Sequence, residues 1–449
     1  MSYRNVTCAA LGLLIGLAQS AVAGEPNGQL SSINGELAKA WPDLESLYKD
    51  IHAHPELSLH ETRTAATLAA EMRKLGFEVT EAVGGTGIVA LYRNGAGPVL
   101  MVRTELDALP MEEKTGLAFA SHVKAPYNGG LSSVAHSCGH DNHMAWWVGT
   151  AETLIALREQ WHGTLMFVGQ EGEEAGDGAH KMIADGLFTR FPKPDYAIAA
   201  HVGNAPAGRV TVKEGAVSSN SDAVEIIFKG RGAHGSRPSA SIDPVVMGAH
   251  FVTDVQTVIS REKNAGAFGV VTVGSFQAGT AGNIIPDQAD LKLTLRSYDP
   301  EVRQLLLDGV DRTATAIAAM ARAPAPEIMH RGGTASVVNE PPMAKRAFEA
   351  LKPALGDQVR FVPKSEQGGS ASEDFSAYGL EGVSSLYLGI GGYDPAVIAD
   401  YEKRGEPVPT NHSPFFAPDY KVAIETGVRA LSLVSLNLLQ IQSAVPASR

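Results

Sequence analysis

Short apolar runs alternate with longer stretches of helical periodicity along the first half of the chain, and no other feature restricts the fold as much. Leu37, Leu44, Leu47 and Tyr48 fall at helical spacing within Ile33–Tyr48, and a second helix is predicted over Glu61–Leu75, stopped by Gly76. Strand-like runs follow at Phe77–Thr80, Gly87–Tyr92 and Pro98–Arg103. Met144–Leu157 then reads as a helix and Thr164–Val168 as a compact buried strand. Helices interleaved with short buried strands predict an α/β layer around a mostly parallel sheet. Ligands of such sheets bind beyond the carboxyl ends of the strands, so the residues just after each strand carry the most information.

The texture changes near Ser221. A strand at Ala223–Lys229, a helix at Pro244–Ile259, strands at Phe268–Gln277 and Ala289–Ser297, a helix at Glu301–Met320 and a last strand at Pro326–His330 follow one another. The order β-α-β-β-α-β is that of a small ferredoxin-like α+β sandwich. A helix at Ala344–Leu351 and a strand at Ser384–Gly389 return the chain to the first layer. Residues 24–215 and 333–449 are therefore expected to form one α/β domain, with 216–332 inserted into it.

The 449-residue chain carries 37 Lys and Arg against 49 Asp and Glu, a formal net charge of -12. That balance argues against a nucleic-acid partner, which requires a basic face. Arg4 followed by the apolar stretch Ala9–Leu17 and by Ala21-Val22-Ala23 reads as a signal peptide over residues 1–23, cleaved after Ala23, with an uncleaved anchor as the competing reading. Export places the protein in the periplasm or outside the cell. No other stretch is long and apolar enough for a membrane helix, so no membrane association is expected once the signal is removed. Of the two cysteines, Cys8 would leave with the signal, and Cys138 would stand alone in an oxidising compartment without a disulfide partner. Such a thiol must be buried or coordinated.

Cys138 lies in the densest polar cluster of the chain, His136-Ser137-Cys138-Gly139-His140-Asp141-Asn142-His143. A thiolate and an imidazole two residues apart can face one metal ion, and Gly139 lets the backbone turn between them. A buried cysteine beside capping groups would look the same. Directly after the strand Thr164–Val168 stands Gln170-Glu171-Gly172-Glu173-Glu174. Of two adjacent carboxylates one can bind metal while its neighbour takes a proton from water, although a solvated acidic turn is the plainer alternative. His201 ends an apolar run from Tyr196, and His412 lies in Asn411-His412-Ser413-Pro414. Each sits at an element end, where a crevice would lie. Within Arg103-Thr104-Glu105-Leu106-Asp107-Ala108-Leu109-Pro110, Asp107 can accept a hydrogen bond from a liganding imidazole or cap the next turn. Trp146-Trp147 fit an apolar pocket, or, as aromatic helix faces usually do, the core.

Taken in order, these segments resemble the M20 metallopeptidase superfamily, specifically its amidohydrolase branch of aminoacylase, hippurate hydrolase and auxin-conjugate hydrolase type. The resemblance runs from about His52 to Phe415. It includes His52-Ala53-His54-Pro55-Glu56-Leu57-Ser58, the Asp107 segment, Cys138-Gly139-His140-Asp141, Glu173-Glu174 and His201. It continues through Gly230-Arg231-Gly232-Ala233-His234-Gly235, Ala278-Gly279-Thr280-Ala281-Gly282-Asn283-Ile284-Ile285-Pro286-Asp287, Ser372-Glu373-Asp374-Phe375 and His412-Ser413-Pro414.

Carried over, the resemblance implies two divalent metal ions per subunit, zinc or manganese, with cobalt or nickel as alternatives. The implied ligands are Cys138, His140, Glu174, His201 and His412. Cys138 would bridge the metals, His140 and His201 would complete one, and Glu174 and His412 the other. Glu173 becomes the general base that deprotonates a metal-activated water and then protonates the leaving amine, with Asp107 supporting it. His234 is implied as an oxyanion stabiliser, often supplied by a partner subunit, and Asn283 as a holder of the substrate carboxylate or oxyanion. Arg296 is a further candidate for a carboxylate. The inserted domain is implied to act as a lid and dimerisation domain, in a homodimer or higher homo-oligomer.

The implied reaction is hydrolysis of an amide bond in N-acyl amino acids or related small amides. A dipeptidase or carboxypeptidase would use the same site. A non-enzymatic periplasmic metal- or ligand-binding protein would keep the ligands but has no use for Glu173. Two departures from the branch bear on specificity. Glu105 stands where an aspartate is usual, and Glu171-Gly172 replaces the residues that normally precede the Glu pair, adding a third carboxylate.

Overall fold

The computed structural model describes residues 26–440, so the expected signal peptide at residues 1–23 lies outside the described residues. An eight-stranded sheet forms the centre of the molecule. In chain order its strands are β1 (Glu78–Val83), β2 (Gly87–Asn94), β3 (Val99–Glu105), β4 (Gly163–Gln170), β5 (Tyr196–Pro206) and β6 (Val210–Lys213). After a second sheet, β7 (Ser221–Lys229), β8 (Gly269–Ala278), β9 (Gln288–Ser297) and β10 (Glu327–Thr334), the chain returns with β11 (Val359–Val362) and β12 (Ser384–Tyr393). The large sheet runs β1-β2-β4-β3-β5-β12-β6-β11. Its interior pairings β4–β3, β3–β5 and β5–β12 are parallel, as is β6–β11 at the edge. The mostly parallel α/β sheet expected from the sequence is therefore present.

Strand β4 shows why its sequence is an unbroken apolar run. Leu165 and Phe167 pack into the core on one face, and Met166 and Val168 into the core on the other. A strand covered on both faces has no polar side to alternate with. The first face is covered by α1 (Pro26–Ala53), α3 (His140–Ala156) and α7 (Tyr420–Leu438), with α2 (Thr62–Lys74) and α6 (Pro341–Leu355) beside them. Trp146 and Trp147 are fully buried in this core, and the Trp147 Nε1–H donates to the Val102 carbonyl at 2.9 Å. They are packing residues, and neither lines the cavity at the strand ends. No helix among the described residues is long and apolar enough to cross a membrane.

The second sheet runs β8-β9-β7-β10 and is antiparallel throughout, the ferredoxin-like arrangement the β-α-β-β-α-β order predicts. Here the strands do alternate: Val224, Ile226 and Phe228 are buried while Glu225 and Ile227 are less so, because helices cover one face only. Those helices are α4 (Pro244–Asp254) and α5 (Pro300–Met320), each opened by an aspartate N-cap and a proline: Asp243 accepts from Val245 N–H at 2.9 Å and Asp299 from Glu301 N–H at 2.8 Å.

Three elements differ from expectation. α3 begins at His140 rather than Met144, because Gly139 caps it in a left-handed conformation at φ 93. The helix expected to reach Ile259 stops at Asp254 and continues as a wide turn over Val258–Glu262. α7 escapes periodicity analysis because it is apolar on nearly every side, being buried against α1 and α3.

Candidate metal centre and active site

The parallel strands end on one side of the large sheet, and the residues following them converge there. β3 leads to Asp107, β4 to Glu173 and Glu174, and β5 carries His201 near its middle. The thiol, ring or carboxylate atoms of Cys138, His140 and His201 all lie within 4.8 Å of one another. So do those of Cys138, Glu174 and His412. One sulfur thus belongs to two sets of donors, five residues drawn from four distant segments.

The hydrogen bonds around the rings settle which nitrogens are free. His140 donates Nδ1–H to the Asp107 carbonyl at 2.8 Å, and His201 donates Nδ1–H to the Val202 carbonyl at 2.8 Å. Each ring therefore turns an Nε2 lone pair inward. His140 Nε2 is buried without a partner, and His201 Nε2 sits 3.4 Å from the Cys138 sulfur. His412 Nε2 and Glu174 Oε1 lie 3.1 Å apart, yet that oxygen makes no hydrogen bond, as expected of two groups aimed at a common point. His143, by contrast, is spent: Nδ1 faces Glu105 at 2.8 Å and Nε2 accepts the Val202 N–H at 3.0 Å.

Local backbone geometry aims these groups. At Gly139 an added Cβ would meet Val202 Cγ1 at 2.4 Å, so only glycine fits between Cys138 and His140. His412 has a left-handed φ of 66, held by its N–H to the Ser137 carbonyl at 2.8 Å. Asn411 ties the loops together by donating to the carbonyls of Cys138 (2.7 Å) and Val202 (3.0 Å). Asp107 is fully buried. Its carboxylate accepts from Ser58 Oγ at 2.6 Å and from the Glu174 N–H at 3.0 Å, and lies 3.4 Å from His140. It positions His140 and Glu174 and does not line the cavity.

Glu173 Oε2 stands 3.8 Å from His140 Nε2. Burial, then the charges of Glu373 and Glu174, push its carboxyl well above the ordinary range. Burial also pushes the Cys138 thiol up, reinforced by Glu174 and Glu173. At His140 burial disfavours charge, but Asp107 and Glu105 outweigh it and hold the ring at about 10. These surroundings call for positive charge at Nε2, which a divalent cation would supply in place of a proton. Free inward lone pairs, a shared sulfur and an anionic frame fit a pair of divalent metals.

Behind Glu173 lies a network the sequence reading did not assign. Arg103 is fully buried and donates to Gln170 (3.0 Å), to Glu373 (2.8 Å) and Asp374 (2.9 Å), and to Glu105. Tyr387 donates to Glu373 at 2.5 Å. The motifs containing Arg103 and Glu373 were visible, but nothing in them shows that they meet. Glu105, the unusual residue of its motif, links Arg103 to His143. Glu171 points away from the centre, toward the Gly87 N–H, and burial raises its carboxyl to about 7. It does not belong to the donor cluster.

A cavity of about 1310 Å³ opens over the cluster. Cys138, Glu173, Glu174, His201 and His412 form its floor, and residues of the second sheet, Arg296 among them, form the facing wall. His234 and Asn283 do not line it. Both are exposed on a small two-stranded ribbon in which Ala233–His234 pairs with Ile284–Ile285 and the Gly235 N–H donates to the Asn283 carbonyl at 2.8 Å. Within one chain the expected oxyanion and carboxylate contacts from these two residues are absent.

A deep site of polar donors at the strand ends of an α/β sheet, with a buried carboxylate beside them, defines a hydrolytic enzyme. The chain belongs to the peptidase family M20/M25/M40, whose model matches residues 101–403. It is 32% identical over 398 residues to an N-acetylcysteine deacetylase of Bacillus subtilis, covering 85% of this chain and 97% of that one. It is 31% identical over 393 residues to thermostable carboxypeptidase 1 of Saccharolobus solfataricus, covering 86% and 93%. A solved dinuclear metal-binding peptidase of family M20 from Bacillus subtilis superposes with a TM-score of 0.72 at 28% identity, covering 89% of this chain and 99% of that one.

Proposed function

We propose that this protein hydrolyses the amide bond of N-acyl amino acids or closely related small amides, with Glu173 as general base. The observation that carries the reading is the pair of donor sets sharing the Cys138 sulfur, with Glu173, a member of neither, within 4.8 Å of His140 and Glu174. Cys138 with His140 and His201 would hold one metal, and Cys138 with Glu174 and His412 the other. Zinc or manganese suits the mixed sulfur, nitrogen and oxygen donors. When bound, such a pair lowers the pKa of water and polarises a carbonyl.

The chain's own groups supply the rest. Glu173 takes the proton of the attacking water and returns it to the leaving nitrogen, and its raised value keeps it basic enough for the first step and acidic enough for the second. Arg296 holds the substrate carboxylate. His234, exposed and remote from its own cavity, serves the cavity of a second copy in a homodimer. Mixing Glu173→Gln with His234→Ala subunits should then restore activity that neither variant has alone. The leader at residues 1–23 directs export, which fractionation of expressing cells would test.

Metal-reconstituted protein assayed on N-acyl amino acids is the decisive experiment. Glu173→Gln should retain the metals and lose ~10²- to 10⁴-fold in turnover. Undiminished turnover would end the assignment. The carboxypeptidase relative favours a second reading on the same site, hydrolysis of short peptides, and dipeptides in the same panel separate the two.

A further inference from the structure

The cavity wall facing the donor cluster carries two guanidinium groups, Arg296 and Arg331. An N-acyl amino acid with a neutral side chain has one carboxylate and needs only one of them. Arg296 lies near the end of β9. Its Nη1 is buried with no hydrogen-bond partner, and the neighbouring carboxylate, Asp222, is already held by Arg303 at 2.8 and 2.5 Å. Arg296 itself lines the cavity, so with no carboxylate of the described residues paired to it its guanidinium is available to an anion there.

Arg331 reaches the same wall by a different device. β10 pairs with β7 through Asp222↔Gly333 and Val224↔His330, so Arg331 and Gly332 together face the single residue Ala223. This is a β-bulge, with Gly332 at φ 82, and a bulge beside a site re-aims the side chain it carries. Arg331 Nη2 donates to Glu225 at 2.7 Å, but Glu225 also faces Lys292 at 3.9 Å. One carboxylate serves two cations there, and Nε and Nη1 of Arg331 have no protein partner among the described residues. β9 and β10 flank β7 on either side. Their backbones therefore stand roughly 10 Å apart, a separation that long arginine side chains can close onto two ends of one small molecule.

We infer that Arg331 is a specificity-determining residue and that the preferred substrates are N-acyl derivatives of acidic amino acids, with Arg296 on the α-carboxylate and Arg331 on the side-chain carboxylate. This rests on the amide-hydrolase reading above. The test compares N-acetylglutamate, N-acetylglutamine and N-acetylleucine as substrates of the metal-loaded enzyme and of Arg331→Met. The unaltered enzyme should favour N-acetylglutamate in kcat/KM by at least about tenfold. Arg331→Met should erase that ratio through KM, and Arg331→Lys should restore part of it. Equal use of the glutamate and glutamine derivatives by the unaltered enzyme overturns the inference, as does a loss in Arg331→Met that is the same for both. If none of the three is hydrolysed, the amide reading falls on its own. Calorimetric binding of N-acetylglutamate against N-acetylglutamine to the same protein then still decides, and equal affinity overturns the role of Arg331.

Discussion

Replacing Arg103 with methionine would remove the guanidinium that pairs with three carboxylates, Glu105, Glu373 and Asp374. All five of its N–H groups are engaged: Nε with Gln170 at 3.0 Å, Nη1 with Glu105 and with Glu373 at 3.3 Å, and Nη2 with Glu373 at 2.8 Å and Asp374 at 2.9 Å. Methionine restores most of the side-chain length, so the loss is electrostatic and not a cavity. Removing one partner of a buried pair costs ~3–5 kcal/mol, because the remaining anions stay dehydrated and unpaired. Against a typical total stability of ~5–15 kcal/mol this is a large fraction.

The loss also carries a pH signature. Burial already pushes Asp374 up to about 8 despite the pull of Arg103, whereas at Glu105 the guanidinium overcomes burial and holds the carboxyl well below the ordinary range. Without the guanidinium both rise. A carboxyl whose folded value exceeds its unfolded one loses stability as pH climbs between the two. The unaltered protein already does so through Asp374, and a raised Glu105 adds a second such carboxyl. The loss relative to the unaltered protein should therefore be larger at pH 8 than at pH 6. Urea midpoints read by fluorescence of the buried Trp146, Trp147 and Trp161, in excess chelator to remove metal linkage, measure this. A loss under ~1 kcal/mol, or one identical at both pH values, would refute the reasoning.

Two further outcomes follow from the same geometry. Because one sulfur belongs to both donor sets, Cys138→Ser should deplete both metals in elemental analysis, whereas His412→Ala should deplete one; equal depletion would dissolve the bridging assignment. Burial raises Glu171 to about 7, so the unfolded chain releases that proton first and stability falls as pH rises from the unfolded value near 4.5 through 7. Glu171→Gln should gain at most ~3 kcal/mol over the unaltered protein at pH 8 and little at pH 5, measured by denaturant midpoints. A gain that does not change with pH counts against it.

Much of the fold was legible because its rules are local. Strands such as Thr164–Val168 are covered on both faces and so appear as unbroken apolar runs, while the alternation in Ala223–Lys229 marks a sheet covered on one face. Aspartate N-caps followed by proline fix the starts of α4 and α5, a local rule as well. The family motifs named all five donor residues and Glu173, because residue type and position at a strand end are properties of the chain.

Convergence is not such a property. That Cys138 and His412, 274 residues apart, share one point depends on a left-handed turn at His412 and on Asn411 bridging two loops. The three carboxylates around Arg103 come from strands and loops whose adjacency is set by sheet order, which no short motif encodes. The same holds where expectation and structure part. Glu171 and Glu173 are two residues apart, yet one turns toward Gly87 and the other into the cavity. His234 and Arg296 both sit in the second sheet's segment, and only the packing of that segment over the large sheet puts Arg296, with Arg331, above the cluster while leaving His234 on an exposed ribbon. Sequence set which groups were available; the through-space distances that make them a site arose only when the layers packed.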